Sequence, residues 1–447
     1  MIKMSDSVLI DRIKKDAHPL VGDHNDYDAL MSIIGDARLV LLGEASHGTH
    51  EFYRERARIT ERLIKEKNFT AVAVEADWPS AYRVNRYVRG MSNDVSATEA
   101  LADFKRFPTW MWRNADVLDF IGWLREHNDA LEFPSKQVGF YGLDLYSLNS
   151  STRAVLDYLD KVDPQAAQRA RYRYGCFDHF SENIEAYGYA ASFGLSASCE
   201  QQVIDELIDL RQQFAAYMRQ DGHAAMDEFF YAEQNARIVK NAEEYYRSMF
   251  QSRISSWNLR DRHMVETLDA LMKHLDRQDQ HSKIVLWAHN SHLGDARATQ
   301  MGQGGELNVG QLVRERYNQE AVLVGFTTHH GTVTAASGWD SGAERKHVRP
   351  ALPNSYESLL HEIGLPSFML PLRKSRVSNF LSEPRLERAI GVVYLPETER
   401  SSHYLFASLP LQFDVVLHFD ETRAVEPLER SALWKEGEVP ETFPFAV

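Results

Sequence analysis

Short runs of Val, Leu, Ile and Ala recur along the chain and predict its β-strands. These runs are almost continuously apolar, which is typical of strands buried on both faces of a parallel sheet. Segments with the apolar spacing of helices separate them, and the first half of the chain alternates strand and helix. We therefore predict an α/β fold whose mostly parallel sheet is flanked by helices. The predicted strands are 38–42, 71–75, 138–143, 283–288, 321–326, 390–395 and 415–419.

Long polar helices replace this alternation between residues 163 and 281. Segments 199–220 and 226–251 are rich in Glu, Gln, Arg and Tyr. We interpret region 163–281 as a helical insertion that roofs a cleft, set between the N-terminal part of the core at 1–162 and its C-terminal part at 282–447. Residues 331–335 further predict an antiparallel extension in the C-terminal half.

The composition excludes several classes of protein. Of 447 residues, 44% are hydrophobic and 26% are charged, as in ordinary globular proteins. Acidic residues outnumber basic ones by 64 to 50, and the resulting formal charge of −14 opposes binding to nucleic acid or to an anionic membrane. No run approaches the roughly 18 apolar residues that a membrane helix needs. We expect a soluble cytoplasmic protein with a small-molecule substrate; the pattern carries no signal for an oligomeric state.

Cys176 and Cys199 are the only cysteines in the sequence. Two thiols are too few for a disulfide framework or for a zinc site built from paired thiolates. We expect both to be ordinary buried thiols.

Titratable side chains follow several of the predicted strands. Glu44 and His47 lie between two glycines directly after the first predicted strand, and Glu75 ends the second. His289 and His292 follow the strand 283–288 in the same way. Because open α/β sheets bind ligands at the carboxyl ends of their strands, these groups predict a single site.

The predicted site allows more than one chemistry. A histidine flanked by carboxylates is held in one tautomer and made more basic, as a general base requires. Arg56 would clamp a carboxylate or stabilise an oxyanion, or form an ion pair with a strand-end glutamate, and the two roles are compatible. Each glutamate alone is more often a helix cap or an ion pair, and either histidine can be structural. A zinc or manganese site is the main competing interpretation, with these candidate ligands: Glu44, His47, Glu75, His289 and His292.

Two other kinds of site lack their motifs. Ser46 lies beside His47 but not in the Gly-x-Ser-x-Gly turn of a nucleophilic serine. The glycines of segment 302–305 lack the Lys-Ser/Thr of a phosphate-binding loop.

Aromatic residues of the helical insertion are candidates for substrate contact. Apolar and aromatic walls suit a bulky, mostly apolar ligand, although the same side chains also serve as helix-packing core. The predicted substrate-binding residues are Phe229, Phe230, Tyr231, Tyr245 and Tyr246.

These motifs together resemble the erythromycin esterase family. The resemblance spans nearly the whole chain. It rests on Leu42–Gly48 with Glu51, Phe52 and Arg56, on 69–75, on 287–292, and on the C-terminal 402–404, 409–410, 412–414 and 427–428.

The resemblance implies hydrolysis of a cyclic ester by a water molecule, without a covalent enzyme intermediate, a cofactor or a metal. His47 matches the family's general base. The other matching active-site positions are Glu44, Arg56, Glu75, His289 and His292. We therefore predict a hydrolase that opens a macrolide lactone or a related bulky ester, and the alternatives are a metal-dependent hydrolase with the same residues and a non-catalytic protein that binds a small metabolite.

Overall fold

A nine-stranded sheet forms the centre of the protein in a computed structural model that describes residues 6–180, 183–213, 217, 222–278, 281–381 and 383–436. A separate sheet of two antiparallel strands, β9 and β10, lies beside it in the C-terminal half. The strands are β1 His18–Pro19, β2 Leu39–Leu42, β3 Ala71–Asp77, β4 Gly139–Asp144, β5 Ile284–Trp287, β6 Ala321–Ala335, β7 Glu344–Val348, β8 Ser367–Pro371, β9 Arg385–Arg388, β10 Tyr404–Ala407 and β11 Val415–Thr422.

The strand order of the large sheet is β1-β8-β11-β6-β2-β5-β3-β4, with β7 paired to the far end of β6. All neighbours from β11 to β4 are parallel, whereas β1, β7 and β8 pair antiparallel. Every residue of β2 is buried, because helices cover both faces of the sheet. The predicted α/β fold with a mostly parallel sheet is confirmed.

Helices connect and cover the strands. The α-helices of the described residues are α1 Asp6–Asp16, α2 Asp28–Ile34, α3 His50–Lys67, α4 Trp78–Val88, α5 Ala97–Ala100, α6 Ala115–Asp129, α7 Leu148–Val162, α8 Pro164–Tyr174, α9 Ile184–Ser192, α10 Glu200–Gln212, α11 Gly222–Ser248, α12 Arg253–Asp276, α13 Asn290–Leu293, α14 Gln300–Gln303, α15 Val309–Tyr317, α16 Tyr356–His361, α17 Glu399–Ser402, α18 Leu409–Gln412 and α19 Ala432–Glu436. None of them is both long and apolar enough to span a membrane.

Six of the seven predicted strands are present, and the exception is the run 390–395. Its residues make only isolated bridges, between Ser46 and Ile390 and between Ala336 and Val393. Gly391, Val392 and Val393 line a large cavity, whereas Ile390 and Tyr394 pack against Val333 and Ala335 of β6. The predicted antiparallel extension at 331–335 is present as the end of β6, which pairs with β7.

Most helices between residues 148 and 248 pack around a hydrophobic cluster of their own, distinct from the clusters on the two faces of the sheet. Helix α12 differs, because Met264 and Leu268 join the cluster that contains Leu39 and Leu41 of β2. The last helix of the predicted insertion therefore packs on the sheet. The division of the chain at 163 and 281 into domains stays a prediction.

The expectation of two free thiols is corrected by the structure. Cys176 and Cys199 form a disulfide with their Cα atoms 6.0 Å apart, within the range that this bond spans. Cys199 lies at the N-terminus of α10 and Cys176 in the turn after α8, so the bond joins two neighbouring helices. The sequence offered only a count of cysteines, and the packing of these helices brings the two together.

Candidate active site

Four adjacent strands of the sheet end in polar side chains at one edge. The strands β2, β5, β3 and β4 are parallel neighbours in this order. Glu44 follows β2, His289 follows β5, and Glu75 and Asp144 lie at the ends of β3 and β4. Parallel strands present their carboxyl ends at the same edge, so the order of the sheet gathers the four side chains.

The two glycines around Glu44 and His47 lie in close contact with neighbouring segments. A Cβ on Gly43 would lie 2.1 Å from Oδ1 of the Asn290 side chain, and a Cβ on Gly48 would lie 1.8 Å from the carbonyl oxygen of Thr334. Because the neighbour of Gly48 is backbone, only glycine fits at that position. The turn that carries Glu44 and His47 is thus pressed against the residues after β5 and the end of β6.

His47, Glu44 and Arg56 form a buried line behind the edge of the sheet. Nδ1 of His47 lies 2.9 Å from Oε1 of Glu44, and Nη2 of Arg56 lies 2.7 Å from Oε2 of the same carboxylate. The guanidinium also faces the rings of Tyr53 and Trp287, at 4.4 and 5.1 Å from their centroids. Because a carboxylate only accepts hydrogen bonds, Nδ1 of His47 carries the proton and Nε2 keeps its lone pair.

His289 packs against His47, with 4.8 Å between the ring centroids. The backbone N–H of Ser291 donates to Nδ1 of His289, and the Ser291 hydroxyl lies 2.8 Å from the same nitrogen. The neutral ring therefore carries its proton on Nε2, which is buried near the Ala45 backbone and makes no hydrogen bond of good geometry to the described residues. Burial disfavours a charged ring and lowers the pKa of His289 to about 3, so the ring is neutral at physiological pH.

Glu75 and Asp144 share the guanidinium of Arg260. Nη2 of Arg260 lies 2.7 Å from Oε1 of Glu75 and 2.6 Å from Oδ2 of Asp144. The other Glu75 oxygen accepts the backbone N–H of His289 at 2.9 Å. Burial alone would raise the pKa of Glu75, but the charges of His292 and Arg260 outweigh it and hold this pKa well below its usual range. Glu75 is thus an ionised group that holds its neighbours in place.

His292 lies on the far side of Glu75. Its Nδ1 lies 2.9 Å from Asp261, its Nε2 lies 3.0 Å from Nη1 of Arg260, and its ring stacks on Trp257 with 4.5 Å between centroids. Burial disfavours the charged ring, but Asp261 and Glu75 outweigh burial and the repulsion of Arg260 and raise the pKa of His292. Both ring nitrogens are engaged by the protein.

A cavity of about 1270 Å³ opens at this edge. His47, Glu75, His289 and His292 line it, and so does Arg260. Glu44 and Arg56 do not: both are buried behind His47. Arg56 forms the ion pair with a strand-end glutamate, and its buried guanidinium is not part of the cavity wall.

The five aromatic candidates fall into two groups. Tyr245 and Tyr246 line the cavity. Phe229, Phe230 and Tyr231 do not, which corrects the expectation that they contact substrate. Phe229 packs in the cluster of the helical region, Phe230 stacks on the His274 ring at 4.0 Å between centroids, and Tyr231 stacks on Tyr82 at 4.0 Å. These three rings lie on α11 faces that pack against other helices.

Sequence reasoning missed Asp144, Arg260 and Asp261. Asp144 directly follows a predicted strand, so the rule that selected Glu75 also selects it. Arg260 and Asp261 are consecutive residues of α12, whose polar positions are numerous. No signal in the sequence sets these two apart, because their role depends on the packing of α12 against the sheet.

The carboxylates of the site are a poor fit to a metal. Both oxygens of Glu44 face His47 or Arg56, and both oxygens of Glu75 accept from Arg260 or the His289 backbone. A metal ion would have to displace a buried arginine from each. The donor set therefore suits a network of ion pairs better than a metal centre.

Comparison with known proteins matches residues 64–422 to the erythromycin esterase family model. Erythromycin esterase type II of Escherichia coli is 22% identical over 330 residues, which cover 70% of this chain and 74% of that protein. A Bacillus cereus protein superposes with a TM-score of 0.75 at 20% identity, over 95% of this chain and 100% of that one. A mutant of erythromycin esterase EreC in its open conformation gives a TM-score of 0.65 at 17% identity, over 90% and 94%. Because the family model covers most of its length, this chain belongs to the erythromycin esterase family.

Proposed function

We propose that the protein is a hydrolase that opens a macrolide lactone, or a related bulky ester, by attack of a water molecule that His47 activates. The single observation that carries this proposal is the line Arg56–Glu44–His47, which ends at the wall of the large cavity. Membership in the family supports ester hydrolysis, and the name of the type II relative supports a macrolide.

His47 has the arrangement that a general base needs. Glu44 holds its Nδ1–H at 2.9 Å, so the Nε2 lone pair is left to take a proton from water. The imidazolium that forms is stabilised by Glu44, and Arg56 balances the buried charge of that carboxylate. The water oxygen bonds to the acyl carbon, and His47 then returns the proton to the alcohol oxygen as the C–O bond breaks.

The developing oxyanion needs a donor in the cavity, and His289 is our candidate. Its Nε2–H has no hydrogen-bond partner of good geometry among the described residues, and the ring lies beside His47. A neutral imidazole donates a hydrogen bond without requiring a further charge, and one such donor typically contributes 10²- to 10³-fold to kcat. We assign His292, Glu75 and Arg260, which also line the cavity, to positioning the substrate.

The cavity also supports the size of the proposed substrate. Its volume of about 1270 Å³ exceeds the roughly 300–1,000 Å³ of ordinary small-molecule sites. Its lining combines aromatic and apolar side chains, among them Trp112, Tyr245 and Val393, with the polar groups near His47. A bulky, mostly apolar ring with a few oxygen substituents suits this surface.

A turnover screen tests the proposal. Macrolides of different ring size are incubated with the protein, and products are detected by a mass increase of one water. We expect at least one macrolide to be opened by the wild type and not by His47→Asn. Saturable binding of macrolides without turnover would support the binding-protein alternative, and loss of turnover with chelator that zinc or manganese restores would support the metal-dependent one.

Isotope labelling separates direct water attack from a covalent route through a carboxylate, and intact-mass spectrometry separates it from a route through a serine. In H₂¹⁸O with enzyme in excess, we expect the label in the product carboxylate and none in the digested protein. Ser46 is buried and hydrogen-bonded to Thr49, so Ser46→Ala should keep most of the activity. An acyl-enzyme found in the intact-mass spectrum would refute direct attack.

A further inference from the structure

A second group of histidines lies outside the cavity, in the middle of β6 and beside the end of β11. His329 and His330 are consecutive residues of β6, and Asp420 belongs to the parallel neighbour β11. In the register of the two strands, Phe419 pairs with Thr328 and Glu421 with His330, so Asp420 lies opposite His329. None of the three residues lines the candidate active site. We propose that His329, His330 and Asp420 form a binding site for a divalent transition-metal ion of the zinc type.

The ligand atoms have the separation that this chemistry requires. Nδ1 of His329 and Nδ1 of His330 are 3.0 Å apart, and one ligand atom from each of the three residues lies within 4.8 Å of the others. Ligands about 2.0–2.2 Å from a zinc ion lie about 3–4 Å from one another, so small side-chain rotations complete the triad. Two imidazoles and one carboxylate are a common donor set for borderline divalent metals.

Neighbouring side chains hold Asp420 as an outer shell holds a metal ligand. Oδ1 of Asp420 accepts from Nδ1 of His361 at 2.7 Å and lies 3.6 Å from Nε2 of His418. His418 is in turn fixed by Thr327, whose hydroxyl oxygen lies 2.9 Å from Nδ1. Such outer contacts orient ligands and are characteristic of built metal sites. Oδ2 of Asp420 then remains as the oxygen that faces the ion.

His329 is positioned just as firmly. The His329 ring stacks on the His361 ring with 3.8 Å between centroids and 7° between planes. The buried guanidinium of Arg388 donates to the His329 carbonyl oxygen at 2.9 Å and fixes the backbone at this point. Because His330 and Asp420 are only partly buried, an ion can enter from solvent and keep water in its remaining positions.

The ion pairs around the site agree with this geometry. Within the described residues, Asp420 is paired with the histidines His361 and His418 and with no arginine or lysine. Glu44 and Glu75, in contrast, are each paired with a buried arginine.

Titration of the full chain with Zn²⁺ and with Co²⁺ tests the site. The protein is first treated with chelator and exchanged into metal-free buffer. We expect one equivalent of Zn²⁺ to bind by calorimetry and to raise Tm, and we expect Co²⁺ to give visible d–d absorption. His330→Ala and Asp420→Asn should each weaken Zn²⁺ binding by more than about 10-fold, because each removes a ligand. His24→Ala, which removes an exposed histidine that contacts Asn25, is the matched control and should bind as the wild type does.

A variant at the candidate active site identifies where the ion binds. His47→Asn should retain the Zn²⁺ equivalent and the Co²⁺ spectrum. The proposal is wrong if His47→Asn loses the ion while His330→Ala keeps it. It is also wrong if the wild type binds no Zn²⁺ at 100 µM, because a Kd above this concentration means a binding free energy weaker than roughly −5.5 kcal/mol. If circular dichroism shows that either ligand variant fails to fold, His361→Gln replaces it. This substitution changes a part-exposed residue that contacts the ligand Asp420, and it should weaken Zn²⁺ binding by about 10-fold. Unchanged affinity would overturn the proposal.

Discussion

Arg56→Met is the perturbation whose outcome follows most directly from the site. The guanidinium is fully buried between Tyr53 and Trp287 and lies 2.7 Å from Glu44. Methionine keeps the apolar length of the side chain but leaves the Glu44 carboxylate without its positive partner. Removing one partner of a buried ion pair typically costs about 3–5 kcal/mol. Unfolding entropy near 2.1 cal/mol/K per residue, or about 0.9 kcal/mol/K for 447 residues, converts this loss to a Tm lowered by about 3–5 °C.

The assay is differential scanning calorimetry of the full chain at neutral pH. Glu44→Gln combined with Arg56→Met removes both charges, and we expect the double variant to be more stable than Arg56→Met alone by at least about 1 kcal/mol. Arg54→Met is the control on the same helix: its part-exposed ion pair with Glu55 should contribute less than about 1 kcal/mol. The reasoning is refuted if Arg56→Met melts within 1 °C of the wild type, or if the double variant is no more stable than the single one.

Three further outcomes are expected. His47→Asn should lower kcat by at least about 10²-fold with little change in Tm, and kcat near the wild-type value would exclude His47 as the base. Tyr245→Leu should raise KM because the Tyr245 ring lines the cavity. Tyr231→Leu should instead lower Tm and leave KM unchanged, because the Tyr231 ring packs on another helix. Equal effects of the two substitutions on KM would contradict this assignment. Burial, with the nearby charge of a second buried carboxylate, raises the pKa of Glu387 from 4.5 to about 8, so the folded state holds this proton longer than the unfolded chain does. The free energy of unfolding therefore decreases as pH rises from about 4.5 to 8. Glu387→Gln should have a higher Tm than the wild type at pH 8 but not at pH 5, and thermal melting across this pH range measures the difference.

Strand-end side chains were the part of the site that the sequence could predict. Apolar runs fixed where β2, β3 and β5 end, and parallel order then implied that Glu44, Glu75 and His289 meet. Contacts made by helices were not predictable in this way. A helical stripe of aromatic residues reports that one face is buried but not what covers it, which is why Tyr231 was mistaken for a cavity residue and Arg260 was overlooked.

The apolar run 390–395 illustrates a second limit. Its composition is that of a strand, yet Val392 and Val393 face the cavity. Local pattern distinguishes buried from exposed surface, but a large cavity for an apolar ligand buries side chains as a sheet does. Arg56 was open to two interpretations for a related reason, since its distance from solvent depends on the whole fold and not on helix α3 alone.

The position of β5 between β2 and β3 makes the candidate site a product of the whole chain. Roughly 200 residues separate β3 from β5 in the sequence, yet β5 is the strand that pairs with both β2 and β3. Closing so long a loop is entropically costly and slow compared with local contacts. Glu44 and Glu75 therefore reach their positions relative to each other only when β5, with His289 at its end, pairs between β2 and β3. A polypeptide ending before β5 would contain both carboxylates but no active site. Catalytic activity should therefore appear only when the sheet is complete.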